Sequence, residues 1–349
     1  MSSEKDDAIV LRCVEYSESS LIVTLFTSKF GKVQGLAKGA RRLKNPFETS
    51  LDLLSAIKLS FIRKRRDSLD LLTEAKLARR FRPTRRNYTG LVAGYYLIEL
   101  LNAAVADYQP YPELWKFADH TLAQLQRRPC PEERIALFET YLLDALGILP
   151  ATRFCVTCGR ELPLDATNNL ARQLWVDLDE GGVVCRECLK KHTYYSLVKT
   201  NIGAFKTLET ALKIAVEMQL AARVYPQARD ALYARKDRPC ASECDRILAQ
   251  VQNALDTSDE QMLQRYATLD LVARQGFREL MTLYVPHALK RRLRTLEQFH
   301  EMVKRLQVGN DNLTRENATL DRAKADASQN DADASTPTST PQKEQLASI

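Results

Sequence analysis

The chain has 349 residues, enough for two or three domains, and its 45% apolar and 27% charged residues are ordinary for a globular protein. No apolar run approaches about 18 residues, and the opening Met1-Ser2-Ser3-Glu4-Lys5-Asp6-Asp7 lacks an apolar signal core, so the reading excludes a membrane span and export and predicts a cytoplasmic protein. The net charge of +7 is local: residues 1–86 hold 19 Lys and Arg against 10 Asp and Glu, a surplus that attracts a polyanion such as a phosphate backbone.

Short β-type segments fill the first quarter. Ala8–Tyr16, Leu21–Thr27, Lys32–Ala37, Leu53–Ile62 and Leu69–Glu74 are predicted strands, with Gly31 and Asp67-Ser68 at turns. Five strands in about 70 residues predict a small closed barrel of the kind to which the OB-fold belongs, a frequent binder of single-stranded nucleic acid. Other five-stranded barrels fit the same pattern.

Cations cluster in this module. Lys29, Lys32, Lys38, Arg41, Arg42 and Lys44 span one turn and the loop after the third strand; Arg63, Lys64, Arg65 and Arg66 cap the fourth; Arg79, Arg80, Arg82, Arg85 and Arg86 follow the fifth. A charge run is commonly just a solvated face, but three clusters with few interleaved acids favour phosphate binding. Of the aromatic residues Tyr16, Phe26, Phe30, Phe47 and Phe61, most are needed for a barrel core, which leaves Phe30 and Phe47, near turns, as candidate base platforms.

Beyond Pro83 the apolar period changes to that of helices. Tyr88–Ala106, with Leu91, Tyr95, Ile98, Leu101 and Val105, ends before Pro110-Tyr111-Pro112; Glu113–Gln126 ends before Pro129-Cys130-Pro131; Glu132–Leu146 stops at Gly147. Three amphipathic helices with Pro-marked links predict a bundle. Ala204–Val224, Asp245–Leu255 and Asp259–Leu283 read as further helices, and His287–Gln307 as a basic helix whose continuous apolar stripe of Leu289, Leu293, Leu296 and Phe299 favours closing the bundle over the alternative, a second nucleic-acid contact. From Asn310 the composition turns to Asp, Asn, Ala, Ser, Thr and Pro, which predicts a disordered tail, taken as 303–349.

Between the third and fourth helices lie Cys155-Val156-Thr157-Cys158-Gly159 and Cys185-Arg186-Glu187-Cys188. Two C-x-x-C pairs bring four thiolates to one tetrahedral ion, and Gly159 relieves the positive φ of the first turn. A shell filled by Cys155, Cys158, Cys185 and Cys188 leaves no position for water or substrate, so the site is read as structural zinc. His192 is a possible substitute ligand, and Trp175-Val176-Asp177-Leu178 reads as one strand of a small ribbon. Cys13, Cys130, Cys240 and Cys244 are read as plain buried thiols.

No G-x-x-x-x-G-K-[ST] loop, post-strand G-x-G-x-x-G, G-x-S-x-G elbow or H-E-x-x-H pair occurs, and the barrel's acids are sparse. The reading is therefore of a non-enzyme. Two alternatives stay open: a nucleic-acid-processing enzyme with an unrecognised metal–carboxylate site, and an RNA-binding factor.

Ala8-Ile9-Val10-Leu11-Arg12, Tyr16-Ser17-Glu18-Ser19, Ile22-Val23-Thr24-Leu25-Phe26-Thr27, and Gly31-Lys32 followed by Ala37-Lys38-Gly39-Ala40-Arg41-Arg42 resemble the start of bacterial RecO, and the two cysteine pairs resemble that family's zinc knuckle. The resemblance covers about residues 8–302. It implies an α+β multidomain protein: a five-stranded OB-fold barrel over 1–80, a mostly α-helical domain over 81–302 with an inserted zinc finger at 154–192, and the polar tail 303–349. It further implies a nucleoid-associated recombination mediator that binds single- and double-stranded DNA, anneals complementary strands and, with RecR, helps RecA replace single-strand-binding protein. The cation clusters assign Lys32, Lys38, Arg41, Arg42, Lys44, Arg63, Lys64, Arg65 and Arg66 to DNA, and the resemblance independently picks out Lys38, Arg41 and Arg42.

Overall fold

The computed structural model describes residues 3–47, 50–64, 68–82, 88–127, 131–162, 170, 172–191, 196–234 and 240–305. Alternation of apolar and polar side chains makes five strands: β1 (Ser3–Glu15), β2 (Leu21–Thr27), β3 (Gly31–Ala37), β4 (Ala56–Ile62) and β5 (Asp70–Arg79). They close in the order β1-β2-β3-β5-β4, with β4 returning to β1. All neighbours are antiparallel except β3 and β5, whose Gly35–Ala37 and Asp70–Leu72 run in parallel. This is an OB-like barrel. Its inward faces contribute Ala8, Val10, Val23, Leu25, Val33, Ile57, Leu59, Phe61 and Leu72 to one core.

Two strand limits differ from expectation. Leu53 and Leu54 lie in a turn, and Leu54 adopts φ +67 while its side chain is buried, so β4 begins only at Ala56. β5 runs five residues past Glu74 because β4 offers a partner along its whole length.

The helical part begins with α1 (Tyr88–Ala104), α2 (Pro112–Arg127) and α3 (Pro131–Ala145). α1 is buried nearly all round, through Val92, Tyr96, Leu97, Leu100 and Leu101; Tyr95, assigned inward from spacing, faces solvent. The strand expected around Trp175 is β6 (Gln173–Asp177), the centre of a small sheet with β7 (Gly182–Val184) and β8 (Leu197–Asn201) in the order β7-β6-β8, and the short α4 (Arg186–Lys191) follows β7. Then follow α5 (Ile202–Ala222), α6 (Val224–Ala234), α7 (Ala241–Ala267) and α8 (Leu271–Ala288).

The helix break expected near residue 256 does not occur, and α6 was not foreseen. One predicted helix ends at Leu255 and the next begins at Asp259, but the carboxylates of Asp256 and Asp259 are buried. Gln124 and Gln252 each donate to Asp256 Oδ1 at 2.8 Å. Asp259 Oδ2 meets His120 Nε2 at 2.6 Å and Arg134 Nη1 at 3.5 Å, joining α7 to α2 and α3. With those side chains committed to other helices, α7 runs through, and the true cap is Asp270, which accepts from the Ala273 N–H at 2.9 Å. The expected basic helix from His287 is also displaced: α8 passes Pro286 and ends at Ala288, Leu289 caps it, and Lys290 turns the chain at φ +50. Residues from 294 are helical again.

Residues Met1–Phe299 form one compact unit and His300–Ile349 a second. The described part of the second is helical, with Arg305 paired to Glu301 at 3.0 Å. From residue 306 the expected tail lies outside the described residues.

Barrel and helices are joined by the chain between α1 and α2 and by α2 itself. The Tyr108 N–H donates to Lys32 O at 3.0 Å, Trp115 Nε1 donates to Phe26 O at 3.0 Å, and Arg79 is paired with Asp119. Gly94 of α1 brings that helix onto Leu54 and Phe81: a Cβ there would sit 3.3 Å from each.

Candidate nucleic-acid interface and metal centre

The loop after β3 is braced at both ends. Gly39 takes φ +73 to reverse the chain, and the Arg42 N–H returns to Gly39 O at 3.0 Å. Asn45 Nδ2 donates to Arg42 O at 2.6 Å while its Oδ1 accepts from the Phe47 N–H at 2.8 Å. Phe47 then plugs the barrel core. Between these anchors Lys38, Arg41, Arg42, Leu43 and Lys44 are all exposed. The loop leans on the β1–β2 turn: the Arg41 N–H donates to Ser19 O at 3.1 Å, and Arg41 Nη1 lies 3.1 Å from Glu15. Lys38, Arg42 and Lys44 have no acidic partner among the described residues, so their charge is directed to solvent.

Arg63 and Lys64, at the entrance to the β4–β5 loop, are exposed but their backbone is fixed. Asp70, fully buried, accepts from the Lys64 N–H at 2.8 Å and from Tyr108 Oη at 2.7 Å. The Arg63 guanidinium lies 4.7 Å from the centroid of the Tyr108 ring, a cation–π contact. Burial and the bond to Asp70 push the Tyr108 phenol far above its ordinary range, so it stays a donor. Arg65 and Arg66 lie outside the described residues, as do Arg85, Arg86 and His192.

Lys32 stands apart from both groups. Its Nζ donates to Asn102 O at 3.0 Å and lies 3.4 Å from Asp107, with only 14% of the side chain exposed. It ties β3 to the α1–α2 connection, and nothing in its local sequence signals a partner 70 residues away.

The expected base platforms are core residues. Phe47 is buried, and Phe30 packs edge-on against Phe61 with centroids 5.5 Å apart. Conversely Tyr16, assigned to the core, is 63% exposed in the β1–β2 turn.

The four knuckle cysteines converge. Their sulfurs all lie within 4.8 Å of one another, with Cys158 Sγ 3.8 Å from Cys185 Sγ. A tetrahedral ion with bonds of about 2.3 Å to four sulfurs requires sulfur separations near 3.8 Å, so the quartet fits a metal shell. Backbone N–H groups support thiolates there: that of Cys185 points to Cys155 Sγ at 3.3 Å, and that of Cys188 to Cys185 Sγ at 3.4 Å. Gly159 has the expected left-handed conformation, φ +70. Burial raises the Cys155 thiol, but N–H donors from Cys185, Cys158 and Thr157 outweigh it and draw it down to about 6. Burial and the neighbouring sulfurs push Cys188 up to about 12. A bound cation would favour the thiolate form of all four. Arg160 and Glu187, 2.7 Å apart, clasp the two knuckles from outside.

The remaining cysteines differ from one another. Cys13 donates to Leu51 O at 3.0 Å and is pushed up to about 11 by burial and Asp52. Cys244 is buried against Leu232 and Leu248, but Cys240 is exposed at the start of α7 rather than buried as expected. Cys130 lies outside the described residues. No helix among the described residues is long and apolar enough to cross a membrane.

Known proteins share this arrangement in sequence. Residues 1–81 match the family model for the recombination protein O N terminal, and residues 85–211 that for its C terminal. The DNA repair protein RecO of Rhodopirellula baltica is 45% identical over 181 residues, 52% of this chain and 65% of that protein, just under two thirds of its length. RecO of Geobacter metallireducens is 32% identical over 189 residues, 54% of this chain and 73% of its own, and that of Syntrophus aciditrophicus 28% over 216 residues, 62% and 81%. An OB-like barrel, a helical part with a cysteine quartet, and these matches lead to one conclusion: the chain belongs to the RecO family of DNA repair proteins.

Proposed function

We propose that the protein is a non-catalytic recombination mediator that binds single- and double-stranded DNA, anneals complementary strands and, with RecR, helps load RecA onto DNA coated by single-strand-binding protein. The observation that carries this reading is the braced β3–β4 loop, which holds Lys38, Arg41, Arg42 and Lys44 in solvent beside the β1–β2 turn of an OB-like barrel, the rim such barrels use for oligonucleotides. Arg63 and Lys64 extend the surface; Arg65 and Arg66 follow them in sequence. Lys32 is left out because its charge is engaged inside the protein. A surface that neutralises two backbones lowers their repulsion while leaving the bases free to pair, so annealing needs no nucleotide hydrolysis. The division of labour follows the chain: residues 1–80 hold DNA, 81–302 brace the barrel and carry the knuckle, and the work is done in the cytoplasm at the nucleoid. We assign zinc to the quartet, because four thiolates form the closed tetrahedral shell of a structural zinc site.

The test is annealing of complementary oligonucleotides with and without single-strand-binding protein, for the parent and for Lys38→Ala/Arg41→Ala/Arg42→Ala. The triple variant should bind single strands more weakly and anneal more slowly. Its slope of log affinity against log salt should shrink by about 0.7 per lost phosphate contact, or about 2 in all. Metal content should be unchanged. A folded triple variant with the parental slope would move the site elsewhere, and magnesium-dependent strand cleavage by the pure protein would replace the mediator with a nuclease.

A further inference from the structure

Leu43 has no structural task. It is fully solvent-exposed, at 107% of the reference accessibility, while both ends of its loop are pinned by Gly39, Asn45 and Phe47. The fold therefore holds a large aliphatic side chain in water between two exposed cations, Arg42 and Lys44. Tyr16 is the counterpart on the adjoining turn. Its N–H closes that turn on Ser20 O at 3.1 Å, its side chain is 63% exposed, and the preceding Glu15 is paired with Arg41 at 3.1 Å. Through Arg41, which also binds Ser19 O, the two loops are one assembly bearing cations and apolar groups in alternation.

A lone polyanion explains the cations but not the apolar groups. Single-stranded nucleic acid alternates in the same way, with charged phosphates between flat apolar bases, and every base offers a face on which an aromatic ring stacks. Aliphatic side chains such as leucine also wedge against unstacked bases. Resting on the phosphate-binding reading above, we infer that Leu43 and Tyr16 are base-contacting residues: the phosphates lie on Lys38, Arg41, Arg42 and Lys44 while Tyr16 stacks on one base and Leu43 packs against another. Neither makes a base-specific hydrogen bond of the kind that reads sequence, so the preference is for the presence of bases rather than for their order.

The experiment compares oligothymidylate with an abasic deoxyribose-phosphate oligomer of equal length, which keeps the phosphates and removes the bases. The parent should prefer oligothymidylate by about tenfold or more, the worth of one stacked base. Tyr16→Ala with Leu43→Ser should abolish that preference while leaving abasic affinity, salt slope and melting temperature at parental values, and Tyr16→Phe should retain it. Equal parental affinity for the two oligomers, or a double variant that keeps the preference, would overturn the inference while leaving the phosphate reading intact. Failure of the parent to bind either oligomer would overturn both.

Discussion

Gly31→Ala should lower the melting temperature by about 10 °C or yield little soluble protein. The residue sits at φ +72, where an L side chain costs roughly 1–2 kcal/mol. Its absent Cβ would also lie 1.9 Å from Gln109 O and 2.5 Å from the same residue's carbonyl carbon, backbone atoms that cannot rotate away. The methyl thus forces β3 from the α1–α2 connection and breaks the bond from the Tyr108 N–H to Lys32 O. A total loss of at least about 3 kcal/mol follows from strain and steric exclusion together. Gly39→Ala is the control: the same sign of φ, but with only the flexible Arg42 side chain nearby, at 3.5 Å. It should cost about 1 kcal/mol, and equal melting of the two variants would show that the connection is not tightly seated on the barrel.

Cys185→Ser should reduce metal from about one ion per chain to near zero, and protease should then cut first between residues 151 and 201. Cys185 Sγ accepts the Cys188 N–H, so its loss removes a ligand and that bond together, while the backbone N–H that residue 185 donates to Cys155 Sγ remains. Because metal affinity in such a site is folding free energy, the small sheet and α4 should loosen while the barrel keeps its DNA affinity. Exposed Cys240→Ser should change neither readout. Parent protein purified under reducing conditions with almost no metal and four freely titrating cysteines would refute the assignment.

Sequence and structure part company wherever a partner is remote. The barrel strands were legible because alternation is a local signal, and the cysteine quartet because its spacing alone determines what two turns can hold. Lys32 looked like its neighbours Lys38 and Arg41, yet Asn102 and Asp107 bury it. Phe47 reads as a loop aromatic, but an open barrel end needs a plug, and Tyr16 was placed in a core already filled. The helix limits predicted at Leu255 and Asp259 are overridden by Gln124, which binds Asp256, and by His120 and Arg134, which meet Asp259, from helices more than 100 residues earlier. Each error assigned by local chemistry a group whose environment is set by tertiary contact.

The parallel pairing of β3 with β5 gives the cation surface a length. β5 enters beside Gly35, just after the loop that starts with Arg63 and Lys64, whereas β3 leaves beyond Ala37 into the loop of Lys38. The levels of Gly35 and Lys38 are three extended residues apart, about 10 Å. The seam of the barrel thus fixes the separation between the places where its two cation-bearing loops leave it, by strand register rather than by the reach of flexible side chains.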